Sequence, residues 1–190
     1  MDSYDQVPYR SVAHPQTHPD RLATHARLFG LDPAPLADCR VLDVGCGDGA
    51  NLLAMAAMFP ESTFVGIDSA AVPIAEGHER AEDWGLANID LRALDLMNLP
   101  DDFGSFDYIV VHGVYSWVPD AVRDGLMALV AEHLAPHGVA FVSYNALPGG
   151  HLRRLTREMM LYHIDGLEAH DSATTPTSST RSVRRRTSRR

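Results

Sequence analysis

The run Val41-Leu42-Asp43-Val44-Gly45-Cys46-Gly47-Asp48-Gly49 sets a carboxylate inside an apolar stretch and follows it with three alternating glycines. Glycines at that spacing permit a tight turn and let backbone, with its N–H groups, lie close against a ligand. With Ala50, the pattern Gly45-x-Gly47-x-x-Ala50 also satisfies a dinucleotide fingerprint. Asp43 argues the other way. A carboxylate buried in a strand is costly unless a cation or donors meet it, and the ammonium of an amino-acid group would do so. Asp68 ends the next apolar run, Phe64-Val65-Gly66-Ile67-Asp68, where a carboxylate can accept both hydroxyls of a ribose. Asp95 stands after a third run, placed to meet the exocyclic amine of an adenine, with the Leu96 N–H facing a ring nitrogen. An Asp after a strand is also common turn chemistry. His112 follows the fourth run. Either it or Tyr115 could act as a general base toward an amine nucleophile.

Other residues compete for the same attention. Tyr115, Ser116 and Trp117 either line an acceptor pocket or, in the case of Trp117, staple the helix that starts near Pro119. Asn145 ends the fifth run and is either an acceptor contact or an ordinary turn residue. Cys46 reads as a small loop residue, since no base stands beside it in sequence. Ten histidines invite a metal, but Pro15 breaks the spacing between His14 and His18, so no metal site is expected.

These groups need a scaffold that gathers strand ends. Short apolar runs at Arg40 to Val44, Thr63 to Ile67, Ile89 to Arg92, Tyr108 to Val111 and Val139 to Tyr144 alternate with helical stretches near 50–59, 70–84 and 119–134. Strands separated by helices imply a parallel sheet with right-handed crossovers, hence an α/β doubly wound domain with helices on both faces. The strand before Gly45 should lie mid-sheet with ligands at its carboxyl end. Pro19 opens a short helix that ends at Gly30. A last helix, about His151 to His163, carries Leu152, Leu155, Met159 and Tyr162 at helical spacing, read as a core face.

Charge is unevenly spread over the 190 residues. The first 180 hold ten arginines against 25 carboxylates, a net charge of −15; the last ten hold six arginines and no acid. An acidic body argues against a specific nucleic-acid surface. No apolar run approaches the roughly 18 residues that span a bilayer, and the polar N-terminus carries no export signal, so a cytoplasmic protein with reduced Cys39 and Cys46 is expected. Residues 171–190 contain one large apolar side chain, Val183, and are expected to be disordered.

The run from Val41 to Tyr144 resembles a class I, Rossmann-like S-adenosylmethionine-dependent methyltransferase. More narrowly, SYDQVPYR, PQTHPDRLATHARLFGL, HGVYSWVP and VSYNALPGGHLRRLTREMMLYH resemble bacterial methyltransferases with a C-terminal regulatory domain, a group that includes rickettsial-type protein-lysine methyltransferases. The resemblance covers roughly residues 3–164. It implies S-adenosyl-L-methionine held by Asp43, the 45–49 loop (Gly45, Cys46, Gly47, Gly49), Asp68 and Asp95; beside these, the residue reading sets Leu96 at the adenine and His112 over the sulfonium, and the expected acceptor is a protein amine, such as lysine, or another small nucleophile. Residues 1–36 are expected to form an irregular segment and helix, 37–165 the donor-binding domain and 166–190 a tail. The sheet is expected to be mainly parallel and to lack its last strands, leaving the fifth as an edge open to self-association. A non-catalytic, donor-binding truncation product and a nicotinamide-dependent oxidoreductase stand as alternatives to the active methyltransferase.

Overall fold

A computed structural model describes residues 12–164. The chain divides between Asn145 and Ala146 into two units. In the first, a single 3-10 turn (Pro15–Thr17) leads into α1 (Pro19–Leu28). Pro19 opens α1 as expected, and the His18 ring nitrogen caps it by accepting the Asp20 N–H at 3.2 Å. Then follow β1 (Arg40–Val44), α2 (Ala50–Met58), β2 (Thr63–Asp68), α3 (Ala71–Asp83), β3 (Ile89–Ala93), β4 (Phe106–Val111), α4 (Asp120–His133) and β5 (Leu134–Val142).

The five strands form one sheet in the order β3-β2-β1-β4-β5, with every pairing parallel. The chain runs outward from β1 through β2 to β3, then crosses back to β4 on the other side. The topological switch therefore falls between β1 and β4, where a doubly wound sheet opens its ligand crevice at the strand carboxyl ends.

Alternation along the central strands builds two cores. Val41 of β1, Phe64 of β2, and Tyr108 and Val110 of β4 meet Leu22 of α1, Leu52 and Met55 of α2 and Ile74 of α3. Leu42 and Val44, Val65 and Ile67, and Ile109 and Val111 face the other way, onto Leu126, Leu129 and Val130 of α4. Each such fully buried side chain is worth about 1.5–3 kcal/mol. Asp43 points to the Val41 side, the face of α1, α2 and α3, and is itself only 4% exposed.

Two boundaries depart from the periodicity. β4 begins at Phe106, two residues before the apolar run alone suggests, because the Asp107 carboxylate accepts the Arg40 N–H at 2.8 Å and extends the contact between neighbouring strands. β5 begins at Leu134, which pairs with Phe106; pairing then resumes only at Tyr108 with Val139. The intervening residues include Pro136, which cannot donate to a ladder, and His137, held at φ 65°.

In the second unit α5 (His151–Ile164) forms as expected. Leu152, Leu155, Met159 and Tyr162 are exposed, so the stripe is not a core face; the described residues of this unit offer no second element to receive it. No helix among the described residues is long and apolar enough to cross a membrane. The expectation of a disordered tail falls outside the described residues.

Candidate functional site

The glycine turn sits at the carboxyl end of β1. Gly45, Gly47 and Gly49 have φ of 75°, 57° and 70°, the left-handed region that side chains resist. At Gly45 a Cβ would also stand 2.4 Å from Val114 Cγ2. The donors of this turn are spent within the protein. The N–H groups of Gly45 and Cys46 both reach the Ile67 carbonyl, at 2.8 and 3.1 Å, and Gly49 donates to the Cys46 carbonyl at 3.0 Å. Gly47 donates to Asp68 Oδ2 at 2.9 Å, while Asp68 Oδ1 accepts the Ala70 N–H at 2.9 Å. The expectation that these N–H groups turn toward a ligand is thus corrected for these four; what the glycines give is a bare backbone surface.

Asp48 completes the loop from the other side. Its carboxylate accepts the Ala50 N–H, two residues on, at 3.1 Å and meets Arg80 of α3 at 2.6 Å. Cys46 and Cys39 are free thiols, both buried. Burial raises the Cys46 thiol, and the neighbouring carboxylates of Asp43 and Asp68 raise it further, so it is no nucleophile.

Asp43 lies under the turn. Its Oδ2 accepts the Asn51 amide at 3.1 Å. The same amide nitrogen donates to Thr17 Oγ1 at 3.1 Å, and Asn51 Oδ1 accepts the His14 backbone N–H at 3.0 Å. Burial pushes the Asp43 carboxyl up to about 7; the hydrogen bond from Asn51 opposes the shift and the charge of Asp68 adds to it. A pair of nearby carboxylates with loop donors already engaged repels a pyrophosphate and favours a cation. This electrostatic character separates the turn from a dinucleotide loop, although the glycine spacing alone does not.

The remaining candidates lie in three places. Asp95 is exposed and occupied by its own turn: Oδ1 accepts the Met97 N–H at 2.9 Å and Oδ2 the Asn98 amide at 3.2 Å. Leu96 is half-buried against the α4-side core. His112 follows β4; its Nδ1 is buried without a hydrogen-bond partner, and its ring meets His14 with centroids 4.2 Å apart and Phe141 at 6.0 Å. Tyr115 is half-buried; its carbonyl accepts Arg123 Nε at 2.9 Å, the same guanidinium stands over its ring at 5.7 Å, and Tyr144 approaches at 6.4 Å. Trp117 is 48% exposed. The loops after β4 and β5 are clipped together, Gly113 N–H to Ser143 Oγ at 2.8 Å and Asn145 N–H to Ser116 Oγ at 2.7 Å. Asn145 and Ser116 thus bind one another. The described residues hold no group of three or more His, Cys, Asp or Glu placed to share a metal ion.

Sequence reading missed Thr17, Asn51 and Arg80, and gave His14 no role beyond a discarded metal pair. One signal was available: Asn51 is the sole polar side chain in the otherwise apolar helix ANLLAMAAM.

A doubly wound parallel sheet with a glycine turn at its switch point defines an α/β domain of the nucleoside-binding kind. The sequence pattern of the methyltransferase domain family matches residues 41–138. PKMT2 from Rickettsia typhi, solved in complex with AdoHcy, is 42% identical and superposes with a TM-score of 0.78 over 86% of this chain and 32% of its own. An uncharacterized protein of Rickettsia prowazekii is 42% identical over 89% of this chain and 68% of itself. Trans-aconitate 2-methyltransferase of Deinococcus radiodurans is 36% identical over 56% of this chain and 38% of its own length. The chain therefore spans about a third of the length of the Rickettsia typhi protein. It belongs to the class I S-adenosylmethionine-dependent methyltransferases, whose methyl donor is S-adenosylmethionine; the nicotinamide alternative falls.

Proposed function

We propose that this chain binds S-adenosylmethionine across the carboxyl ends of β1, β2 and β3, and that the protein transfers the methyl group to a protein amine such as a lysine side chain. The observation that carries the donor reading is Asp43: a buried carboxylate, raised to about 7, whose side-chain hydrogen bond comes from a neutral amide and whose charged neighbour is another carboxylate. The ammonium of the donor supplies the missing cation. Asp68 takes the ribose hydroxyls with the lone pairs that Gly47 and Ala70 leave free, and the exposed turn of Asp95 and Leu96 receives the adenine. The donor site lies within the unit that ends at Asn145, with Gly45, Cys46, Gly47 and Gly49 as the bare floor.

When bound, the donor supplies an electrophilic methyl: a nitrogen–carbon bond forms as the carbon–sulfur bond breaks, and the electron pair stays on sulfur. The protein's own share is placement and proton removal. An ammonium cannot attack, so a neutral base must take its proton first. Burial, and the charge of His14 after it, hold His112 below the ordinary imidazole value, which keeps it unprotonated, with a lone pair free to accept a proton, near neutral pH. Tyr115 is the second candidate for that proton. We place the protein in the cytoplasm and expect the half-buried edge strand β5 to allow self-association.

Calorimetry with S-adenosylmethionine, its demethylated product and NAD tests the donor reading. The first two should bind and NAD should not; binding of NAD alone overturns it. Asp68→Ala should weaken S-adenosylmethionine about tenfold to a hundredfold, the scale of one or two hydrogen bonds to a charged group. Unchanged affinity in a folded Asp68→Ala chain removes the ribose assignment.

A further inference from the structure

His14 precedes α1 and lies outside every donor contact proposed above. The backbone around it is fastened by a buried polar cluster. Its N–H donates to Asn51 Oδ1 at 3.0 Å, and its carbonyl accepts both the Thr17 N–H and Thr17 Oγ1 at 2.9 Å. Thr17 is fully buried and Asn51 nearly so, and Asn51 is the residue that also holds Asp43. Four residues from two distant stretches of the sequence, 14–17 and 43–51, thus form one unit beside the glycine turn.

The fastening delivers a ring. The His14 imidazole meets that of His112 edge to face, 4.2 Å between centroids with 62° between planes, and Phe141 of β5 approaches at 6.0 Å. His112 Nδ1 is enclosed and has no partner of its own. A buried polar atom left unpaired is unfavourable, so hydrogen bonding at Nδ1 does not choose this orientation. The neighbouring rings do.

We propose that His14 is a positioning residue for His112: its ring fixes the imidazole that takes the amine proton, and the Asn51 tie links that imidazole to the carboxylate facing the donor. This rests on the reading of His112 as the base and of Asp43 as a donor contact. His14 touches neither donor nor acceptor and acts through His112 alone. It also excludes water from that ring. The rings facing His112 are the His14 imidazole, from the segment before α1, and the Phe141 ring, from β5. Both remove water and neither offers a negative charge, so the protonated form is disfavoured.

The test is a side-chain NMR titration of His112 in the whole chain, assigned with a His112→Gln variant, for the parent, His14→Ala and His14→Phe. Both His14 variants keep the backbone N–H that reaches Asn51, so any contrast between them reports the ring. In the parent His112 should titrate below the ordinary imidazole range. In His14→Ala the midpoint should rise toward that range, and in His14→Phe it should rise distinctly less, because an aromatic ring of similar shape restores the packing and only the smaller contribution of the His14 charge is lost. A His112 midpoint that is the same in the parent and His14→Ala overturns the proposal, as does a His14→Phe chain that behaves like His14→Ala. Calorimetry with S-adenosylhomocysteine on the parent sample forms the separate arm: failure to bind overturns the donor reading and the role with it, whereas binding with an unresponsive His112 overturns the His14 role alone.

Discussion

At pH 8 the Asp43→Asn chain should unfold at a higher temperature than its parent while binding S-adenosylhomocysteine at least tenfold more weakly. In the unfolded chain the Asp43 carboxyl titrates near 3.8, and burial lifts it to about 7 in the fold. The folded state therefore binds this proton more tightly. The stability that goes with the protonated form is fully present below pH 3.8 and is lost as pH rises through about 7. A shift of about three units corresponds to roughly 4 kcal/mol, an upper bound that water entry and the Asn51 hydrogen bond both reduce. Asparagine removes the charge and keeps an oxygen for the Asn51 amide. The gain in Tm should be at most about 10 °C at pH 8 for a chain this size, and should shrink away toward pH 4. Donor affinity moves oppositely, because only the ionised carboxylate attracts the ammonium; in the parent, affinity should strengthen as pH climbs through about 7, and in Asp43→Asn that rise should vanish. Thermal scans at pH 4 and 8 with parallel calorimetry check both halves. Equal melting temperatures at pH 8 would show that Asp43 carries no strain, and unchanged affinity would remove it from the donor site.

Local pattern made much of this site readable. The short apolar run of β1 and the three glycines after it place Asp43 and the turn without reference to any other part of the chain, and β1 begins and ends where the run does. Asp68 is legible for the same reason. What stayed hidden are contacts that only folding makes. Asn51 reaches Thr17 across 34 positions and the His14 N–H across 37, and no periodicity encodes such a pair. The start of β5 was missed because a bulge around Pro136 and His137 interrupts its ladder after Leu134. The stripe on α5 shows the converse error: helical spacing says which residues share a side, not whether anything covers them. In the glycine turn the sequence displays the flexible backbone, yet not that Ile67, Cys46 and Asp68 consume its donors. With those donors engaged, the carboxylates of Asp43 and Asp68 are left to set the charge of the turn.

Gly77→Ala should destabilise the chain by about 1–3 kcal/mol, and Gly77→Val by about 3 kcal/mol or more, although helix propensity predicts the opposite sign for alanine. Replacing a helical glycine by alanine gains about 1 kcal/mol when the site is open. Gly77 is not open. A Cβ there would stand 2.5 Å from Leu91 Cδ1 and 2.6 Å from the Asp48 carbonyl oxygen. Leu91 is itself buried and already fills the space against Gly49 and Gly66, so it has little room to turn. The Asp48 oxygen is backbone of the glycine turn. α3 cannot back away either, since Arg80, one turn further along, holds Asp48 at 2.6 Å. Overpacking of this kind costs roughly 1–3 kcal/mol or more and outweighs the propensity gain. The strain falls on the turn, so donor affinity should drop together with stability. Gly125 in α4 gives the internal contrast. Its Cβ would press on Met97 Sδ at 2.4 Å, but Met97 is 47% exposed and its flexible end can swing aside. Gly125→Ala should therefore be neutral or stabilising by up to about 1 kcal/mol. Urea unfolding of the three variants, with calorimetry on each, decides the matter. If Gly77→Ala gains stability as Gly125→Ala does and keeps donor affinity, α3 does not brace the turn and the packing that sets its shape lies elsewhere.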